Sequence, residues 1–404
     1  MKFSVLLPTR NRLELLRYAI ETVRRQDYGD WEIIVSDNAS EEDVAGHVRS
    51  LGDARIRYYR TESFVPVTDN WNNALQKSTG DYVVMLGDDD CLMKGYFSTL
   101  RRIIDGRGRP DFIYYGALLF AYPGVMPGFP EGFVQSYGYA DFLKHAKEPF
   151  WLDRAAALRC VQKSMNFMVS FGFNMQFALI SRGIIGALRD RGDFFQSPYP
   201  DYYAMNALML KAERILVCPQ PLVTIGISPK SFGFYYFNQA ERQGVEFLKN
   251  IPDPETSRRL EHVILPGTDM NTSWLIAMET LRLNYQSEAG LEVNYGRYRF
   301  LQILQVYAAF SLDRASTGPR LRELREKLRF GEKCLGSVLW AMALVAGVLP
   351  SGLRRKVVAR LLVLTGVLPL YSPKKVSGRY RNILEVFDSV DPLAGRSAAA
   401  KSAD

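Results

Sequence analysis

A buried strand that runs into a cluster of acids decides the fold, and it reads Gly80-Asp81-Tyr82-Val83-Val84-Met85-Leu86-Gly87-Asp88-Asp89-Asp90. The apolar run Tyr82–Leu86 predicts a strand buried on both faces, as strands of parallel sheets are. The three carboxylates that follow repel one another unless a cation or an array of donors offsets their charge. Because open parallel sheets bind ligands at the carboxyl ends of their strands, this stretch predicts a binding site after the strand.

Three further strand candidates precede this one, with helical periodicity between them. They lie at Phe3–Leu7, Trp31–Ser36 and Ile56–Arg60. A helix is predicted from about Arg12 to Gln26, capped by Asn11, with Glu14 completing a capping box. Strands that alternate with helices predict an α/β protein with a mostly parallel sheet and helices on both faces.

After the first hundred residues, strands and helices no longer alternate regularly. Strands are predicted near Phe112–Tyr115, Met175–Ile180 and Leu222–Ile227, and helices near Leu152–Met168 and Tyr202–Lys211. From about residue 255 onward helical patterns dominate, and residues 391–404 are expected to form a disordered tail. Since 404 residues exceed what one core usually organises, we expect a domain of about 250 residues and a helical region after it.

The composition is that of a folded protein from a reducing compartment. Hydrophobic residues make up 47% and charged residues 23% of the chain, which excludes a disordered protein. The 4 cysteines form no C-x-x-C pair, so neither a disulfide framework nor a zinc site is expected. Pro8 interrupts the first apolar run too early for a signal peptide, and we therefore expect a cytoplasmic protein.

The basic charge is confined to one region. Residues 320–385 contain 14 Lys and Arg but 4 acids, a surplus of +10, whereas the whole chain carries +8. The remainder is slightly acidic, which argues against a nucleic-acid-binding protein. Two apolar runs in or near this region, Leu335–Leu349 and Val357–Tyr371, are shorter than the ~20 residues of a membrane-spanning helix. They predict either interfacial helices on an anionic membrane or a buried helical hairpin, and both remain open.

Polar residues after three of the strands form the candidate site. Asp88, Asp89 and Asp90 (the acidic cluster) suit Mg²⁺ or Mn²⁺, which bind carboxylates together with substrate phosphates and water; a solvated acidic turn is the alternative. Asp37 suits hydrogen bonds from a base or ribose, or else caps a helix over Glu41–Leu51. Arg10 and Arg12 suit phosphates unless they are plain surface side chains.

Three motifs in this order resemble those of family 2 glycosyltransferases, which have the GT-A fold, a Rossmann-like sheet. They are Pro8-Thr9-Arg10-Asn11-Arg12, Ile33-Ile34-Val35-Ser36-Asp37-Asn38-Ala39-Ser40 and the stretch Gly80–Asp90. The segment Asp69-Asn70-Trp71-Asn72-Asn73-Ala74-Leu75 also resembles the family's helix before the acidic strand. The sequence departs from the family at Gly87, where many members have the first Asp of Asp-x-Asp-Asp. The register of the metal ligands therefore stays open.

The resemblance, which covers about residues 1–230, implies a role for each of these residues. The implied donor site contains Pro8, Thr9, Arg10, Arg12, Asp37, Asn72 and Asp88. Thr9 and Asp37 would lie at the nucleoside and Asp88 near the ribose. Asp89 is the best single candidate for a ligand of Mn²⁺ or Mg²⁺, with Asp90 beside it. The implied donor is a nucleotide sugar, with UDP as the expected nucleotide.

An inverting member of this family keeps its catalytic base at the start of a helix in the second half of the domain. Asp201 fits this position, in Pro200-Asp201-Tyr202-Tyr203-Ala204, and a plain helix cap is the alternative. Asp193 is the weaker rival. The aromatic stretch Phe232–Phe237 would either stack on a sugar or lipid acceptor or pack in the core.

Together these features predict a glycosyltransferase. Residues 1–250 are expected to form the GT-A domain, with the nucleotide-sugar-binding half in 1–105 and the acceptor half in 106–250, and residues 251–390 a helical region associated with the membrane. The expected reaction transfers a sugar to a saccharide or lipid-linked acceptor during synthesis of a bacterial surface polysaccharide or glycolipid, on the inner face of the cell membrane. The alternatives are a nucleotidyltransferase, which the lack of a Gly-rich phosphate loop disfavours, and an inactive protein that binds sugar nucleotides or glycans.

Overall fold

The computed structural model of the chain describes residues 1–137, 140–238, 240–250, 254–346, 348–366, 374–376 and 378–391. Its centre is a mixed sheet of 11 strands. The strands are β1 (Phe3–Thr9), β2 (Trp31–Asp37), β3 (Ile56–Arg60), β4 (Tyr82–Met85), β5 (Cys91–Leu92), β6 (Phe112–Ala121), β7 (Phe133–Tyr137), β8 (Phe150–Trp151), β9 (Ala178–Ser181), β10 (Ile215–Ile227) and β11 (Lys375–Val376). The helices are α1 (Leu13–Arg24), α2 (Val44–Ser50), α3 (Val67–Lys77), α4 (Tyr96–Arg107), α5 (Arg154–Met165), α6 (Arg182–Leu188), α7 (Pro200–Lys211), α8 (Phe232–Phe237), α9 (Glu241–Leu248), α10 (Pro254–Leu260), α11 (Asp269–Ala289), α12 (Tyr295–Leu312), α13 (Arg314–Lys327), α14 (Phe330–Ala346), α15 (Ser351–Leu364) and α16 (Ile383–Ser389). The predicted fold class, an α/β sheet domain followed by a mainly helical region, is confirmed.

The first four strands form the parallel part of the sheet, in the order β3-β2-β1-β4. β1 lies between its two partners, with Thr9 opposite Asp37 of β2 and Leu6 opposite Met85 of β4. Every residue of β2 and β4 is buried, as expected for the apolar runs of a parallel sheet. The carboxyl ends of these strands therefore lie side by side at one edge of the sheet.

The start of α1 differs from the sequence prediction. The helix begins at Leu13, and no side chain of the preceding residue caps it. Asn11 has a φ of 51°, and its side-chain oxygen accepts a hydrogen bond from the amide of Glu41 at 2.8 Å. The amide of Leu13 donates to the carboxylate of Glu42 at 2.8 Å. A tertiary contact with the segment after β2 thus replaces the predicted capping box of Asn11 and Glu14, which is wrong.

The segment after β2 shows that Asp37 is not a helix cap. The helix predicted over Glu41–Leu51 is the shorter α2, and Asp43 caps it by accepting a hydrogen bond from the amide of Gly46 at 2.7 Å. The Asp37 carboxylate accepts from the amide of Ser40, within the loop that precedes α2. The alternative assignment of Asp37 as the cap of this helix is therefore wrong.

The remaining strands make the sheet mixed. β6 pairs antiparallel with β9 and β7, and parallel with β10. β4 joins the two halves of the sheet through its antiparallel pairing with β9. β6 and β10 are longer than predicted, because they reach Ala121 and begin at Ile215. The strand predicted near Met175 starts as a 3-10 turn, Met175–Phe177, before β9.

The helical region shares its core with the sheet domain. Trp274 and Leu275 of α11 and Tyr298 of α12 belong to the same buried cluster as β1 and β4. α16 returns to the first half of the chain, where Ile383 and Phe387 are buried against α1 and β5. The core is thus continuous across residue 250, and the predicted division into domains stays a prediction.

The last helices form a smaller second core. Its buried members are Leu265, Ile303, Val306, Tyr307, Leu321, Leu324 and Leu328. α14 and α15 occupy most of the two predicted apolar runs, and within the described ranges no helix is long and apolar enough to cross a membrane. Residues 367–371 of the second run, and the predicted tail beyond Asp391, lie outside the described residues.

Candidate active site

A cavity of about 490 Å³ lies at the carboxyl ends of β1 and β4. Its lining also includes residues of α3, α7, α8 and α11. Among the residues predicted for the site, those that line it are Pro8, Thr9, Arg10, Arg12, Asp88, Asp89, Asp90 and Asp201. The fold therefore brings the acidic cluster and the predicted base into one cavity.

Asp88 is held by side chains from the end of β1. The Thr9 hydroxyl donates to one of its oxygens at 2.7 Å, and the Arg12 guanidinium donates to the other at 2.8 Å. Arg12 is itself anchored by a hydrogen bond to the carbonyl of Lys230. Three residues predicted from two separate motifs thus form one network, in which the charge of Arg12 offsets part of the repulsion within the acidic cluster.

Asp90 is tied to the protein through both of its oxygens. It accepts hydrogen bonds from the amide of Gly226 at 2.9 Å, the amide of Gly87 at 2.8 Å and the side chain of Gln176 at 2.8 Å. Burial, together with the neighbouring charge of Asp89, raises the pKa of this carboxyl to about 8, although the hydrogen bonds oppose the shift. These contacts fasten the turn after β4 onto β10, which is a structural use of Asp90.

The side chain of Asp89 accepts fewer hydrogen bonds than that of Asp90. One of its oxygens accepts a hydrogen bond from the Ser228 hydroxyl at 2.7 Å, and the other lies 4.0 Å from Arg12 Nη1. Burial raises the pKa of Asp89, although the nearby Arg12 opposes the shift. β10 passes so close that a Cβ at Gly226 would overlap the carbonyl oxygen of Asp89. The backbone packing of this turn therefore requires glycine in β10.

Asp37 is fully buried and is not among the described residues that line the cavity. Its carboxylate accepts hydrogen bonds from the Ser40 amide at 2.9 Å, the Tyr58 hydroxyl at 2.7 Å and Arg60 at 3.2 Å. Direct contact with a nucleoside would require Tyr58 or Arg60 to release this carboxylate. The predicted role of Asp37 at the nucleoside stays a prediction.

Asn72 lies behind the cavity lining, while its neighbours Asn70 and Trp71 line it. The Asn72 side chain donates to the carbonyl of Phe195 at 2.9 Å and accepts from the amide of the same residue at 3.2 Å. This pair of hydrogen bonds fastens α3 to the loop that leads to α7. Asn72 therefore holds two parts of the cavity together, and a direct role in donor binding stays a prediction.

Arg10 is fixed at the cavity and is not a plain surface side chain. Its guanidinium carbon lies 3.6 Å from the centroid of the Phe64 ring, and Nη1 donates to the carbonyl of Asn38 at 3.1 Å. Together with Pro8 near the end of β1, it belongs to the lining of the cavity. A cation held in this way suits an anionic ligand.

Asp201 lies in the first turn of α7, which begins at Pro200. The cap position belongs to Tyr199, so the alternative that Asp201 is a plain N-cap is wrong. The Asp201 carboxylate accepts a hydrogen bond from the Tyr202 amide at 3.1 Å, and burial raises its pKa to about 7. Such a carboxyl can gain and lose a proton near neutral pH, as a general base must. Its rival Asp193 is exposed and is not among the described residues of the cavity lining.

Both predicted uses of the aromatic stretch 232–237 occur in the structure. Phe232 and Tyr236 line the cavity, whereas Phe234 packs against the hydrophobic core. Phe232 is only partly buried and meets the ring of Tyr199 with their centroids 4.8 Å apart. The cavity therefore has an aromatic wall on the side of α8.

Sequence analysis did not identify the contribution of α11. Met270, Asn271 and Trp274 line the cavity although they lie beyond the predicted GT-A domain. Trp274 is 3% exposed and packs edge-on against Phe173. No local signal marks these residues, because a buried tryptophan in a helix is an ordinary core residue. The helical region is thus part of the candidate site.

Comparison with known proteins identifies the first quarter of the chain. Residues 4–114 match the profile of Glycosyl transferase family 2. This part of the chain is a family 2 glycosyltransferase domain. It contains the motifs after β1, β2 and β4, so the family predicted from these motifs is confirmed.

Two curated relatives are similar to this domain. GalNAc(5)-diNAcBac-PP-undecaprenol beta-1,3-glucosyltransferase of Campylobacter jejuni is 42% identical over 102 residues, which cover 24% of this chain and 33% of the relative. The putative colanic acid biosynthesis glycosyl transferase WcaA of Escherichia coli is 36% identical over 89 residues, which cover 22% and 32%. The chain thus spans about a third of the length of these relatives.

Among the solved structures, the chain matches TarS residues 1–349 of S. aureus in complex with UDP-GlcNAc. The two chains are 17% identical, the alignment covers 81% of this chain and 92% of TarS, and the TM-score is 0.44.

Proposed function

We propose that the protein transfers a sugar from a nucleotide diphosphate to a hydroxyl group of an acceptor. The observation that carries this proposal is the cavity that the acidic cluster shares with Asp201, in a chain with a family 2 glycosyltransferase domain. The acidic cluster suits the diphosphate end of the donor together with a cation, and Asp201 suits deprotonation of the acceptor. The reaction breaks the bond from the anomeric carbon to the diphosphate and forms a bond to the acceptor oxygen.

The donor is proposed to lie along Pro8, Thr9, Arg10 and Arg12, with Asp88 near its ribose. Nε of Arg12 is buried and has no hydrogen-bond partner in the described part of the chain, so the guanidinium has an unused donor. A phosphate oxygen is the kind of acceptor that an arginine at such a site binds. The proposed nucleotide is UDP.

A divalent cation, Mn²⁺ or Mg²⁺, is proposed at Asp89, with Asp90 as the second candidate. The described residues contain no group of three or more His, Cys, Asp or Glu side chains arranged to hold a metal ion. The donor set nevertheless fits a hard cation, because Asp89 offers a buried carboxylate oxygen and substrate phosphates and water usually complete such a shell. When bound, the cation would stabilise the charge that develops on the departing diphosphate. Asp89 is favoured because protein donors already occupy both oxygens of Asp90.

Asp201 is proposed to act as the general base. Its carboxylate would accept the proton of the acceptor hydroxyl while that oxygen attacks the anomeric carbon. Attack from the side opposite to the diphosphate inverts the configuration at this carbon. Arg12 and Thr9 hold Asp88 in place, and the rings of Phe232 and Tyr236 in α8 line the cavity in which the acceptor would lie.

The products distinguish this proposal from its rivals. Incubated with UDP-sugars, Mn²⁺ and candidate saccharide acceptors, the protein should release nucleoside diphosphate in step with glycosylated acceptor. A nucleotidyltransferase would release pyrophosphate from nucleoside triphosphate and sugar phosphate. An inactive sugar-nucleotide-binding protein would raise its melting temperature with a donor, since ligand binding stabilises the folded state, but would form no product with any acceptor. Either of these results would contradict the transferase proposal.

The acceptor is proposed to contact the aromatic wall of the cavity at Phe232. Replacing this residue with leucine keeps an apolar side chain but removes the ring. The acceptor KM should rise about 2–10-fold, which corresponds to the ~0.5–1.5 kcal/mol typical of an aromatic contact. Steady-state kinetics at saturating donor would measure this change, and kcat should stay within about twofold.

Phe234→Leu is the matched control, since this residue lies on the same helix and is also partly buried but packs on the core. It should leave the acceptor KM unchanged. An equal rise in KM for both variants would mean that α8 acts only through the fold, and the proposed acceptor contact would be withdrawn.

We also propose a setting for the reaction, the synthesis of a bacterial surface polysaccharide or glycolipid at the cytoplasmic face of the membrane. Support comes from the relatives, since the name of the Campylobacter protein includes an undecaprenol-linked saccharide and that of the Escherichia protein includes colanic acid. The proposed acceptor is therefore a saccharide, free or lipid-linked. The basic residues within 320–385 are proposed to contact an anionic membrane surface.

A further inference from the structure

The outer face of α14 is apolar and in contact with water. Val338, Met342 and Val345 are 58%, 52% and 72% exposed, and their spacing places them on one side of the helix. Val348, in the turn after the helix, is 86% exposed. An amphipathic helix in water keeps such residues against the core, whereas α14 presents them outward. This face is therefore suited to an apolar partner.

α15 combines a similar apolar face with positive charge. Leu353, Val357 and Leu364 are 49%, 41% and 76% exposed. The exposed cations Lys356 and Arg360 lie beside them on the helix. Both helices pack on α12, so their exposed faces lie on the outside of the molecule. We call these residues the basic apolar surface: Val338, Met342, Val345, Val348, Leu353, Val357 and Leu364 with the cations Lys356 and Arg360.

The end of α15 is joined to the wall of the cavity. The carbonyl of Gly366 accepts a hydrogen bond from the amide of Val169 at 3.1 Å, and Val169 lines the cavity. Met168, next to it, is an exposed apolar residue at 38%. The end of α15 therefore lies next to the wall of the candidate active site.

We propose that the basic apolar surface docks this protein on an anionic lipid bilayer, with its apolar side chains in the interface and its cations at the headgroups. Helices that are too short and too charged to span a membrane but present apolar residues beside cations bind in this way. A second copy of the chain fits less well, because a symmetric contact would set two surfaces of the same positive charge against each other. The docking rests on the proposed function in one respect, since it would bring the cavity to a lipid-linked acceptor.

Vesicle binding by the full-length chain tests the proposal, using mixed phosphatidylglycerol and phosphatidylcholine vesicles and pure phosphatidylcholine vesicles. The protein should sediment with the anionic vesicles and bind them less tightly as salt increases. Exchanging both Lys356 and Arg360 for glutamine should weaken this binding roughly 30-fold, from the usual contribution of each cation near a membrane. Replacing Met342 with glutamine, and Val345 and Val348 with threonine, should weaken it at least roughly tenfold on the same vesicles.

Leu283→Gln is the matched control, because Leu283 is 39% exposed on α11, outside the basic apolar surface. It should bind vesicles as the unmodified protein does. The proposal is overturned if the unmodified protein stays in the supernatant, or if all the variants bind alike. It is also overturned if the protein forms dimers in sedimentation velocity that only the apolar variant dissociates, without vesicle binding. Because these assays contain neither donor nor acceptor, their outcome is independent of whether the protein transfers sugar.

Discussion

Asp201→Asn should lower kcat by about 10²–10⁴-fold, the usual contribution of a general base, while the affinity for the nucleotide stays within error. Asparagine has nearly the size of aspartate, and its carbonyl oxygen can still accept the hydrogen bond from the Tyr202 amide. It cannot accept the proton of the acceptor hydroxyl. Initial rates of nucleoside diphosphate release would measure the loss in kcat, and calorimetry would show that the nucleotide affinity is unchanged.

The pH dependence of kcat in the unmodified protein is a second test of the Asp201 carboxyl. Because burial raises the pKa of Asp201 to about 7, kcat should rise with pH through that value as the carboxylate becomes available. A carboxyl whose pKa is raised by folding holds its proton more tightly in the folded state, so its ionisation costs stability as pH rises from about 4 towards 7. The asparagine variant should therefore melt no lower than the unmodified protein at pH 8.

Asp193→Asn is the control for this assignment, since Asp193 is an exposed carboxylate in the loop before α7. It should leave kcat unchanged. If it abolishes turnover while Asp201→Asn retains more than a tenth of the activity, the base is Asp193. If Asp201→Asn weakens nucleotide binding, Asp201 supports the donor site and is not the base.

Asp89→Ala should remove the dependence of nucleotide binding on Mn²⁺. In the unmodified protein, Mn²⁺ should tighten the binding of UDP, and the variant should bind UDP equally with and without the metal. The loss in the presence of Mn²⁺ should be at least the ~10–100-fold that removal of a residue supporting a metal ligand causes. Titration calorimetry with and without Mn²⁺ measures both affinities.

Two other replacements separate a metal ligand from a structural acid. Asp105→Ala removes an exposed carboxylate of α4 that pairs with Arg101, and it should change nothing. Asp90→Asn should lower the melting temperature, because Asp90 receives hydrogen bonds from Gly87, Gly226 and Gln176 through both oxygens, but it should preserve the effect of Mn²⁺. If Asp90→Asn abolishes the effect of Mn²⁺ and Asp89→Ala does not, the ligand is Asp90.

The parts of the fold that sequence analysis predicted well are set by burial. β1, β2 and β4 each contain an apolar run, and a run that is buried on both faces can be recognised from the local sequence. The cap of α1 could not be predicted in this way. Asn11 and Glu14 satisfy the local pattern, but the carboxylate of Glu42 comes from another segment and takes the place of the cap. Such a contact is decided by tertiary packing.

The candidate site also contains residues that the local sequence identifies and residues that only tertiary packing brings there. Arg12 and Asp88 belong to motifs at adjacent strand ends, so the fold class alone places them together. Asp201 has a local signal, because a proline and an acid at the start of a helix are visible in sequence. Trp274 has none, since its position in the cavity depends on how α11 packs against α7. The part of the cavity wall that the helical region forms could therefore be identified only from the structure.

The position of α16 determines when the first half of the molecule can finish folding. This helix covers a face of α1 with Ile383, Val386 and Phe387, which are at most 2% exposed. Synthesis on the ribosome proceeds from the amino end, so α1 emerges while the helix that covers it does not yet exist. Until residue 389 has been made, α1 presents an uncovered apolar face to its surroundings. A face that is uncovered in this way is prone to aggregation, and the packing of α16 ends the interval.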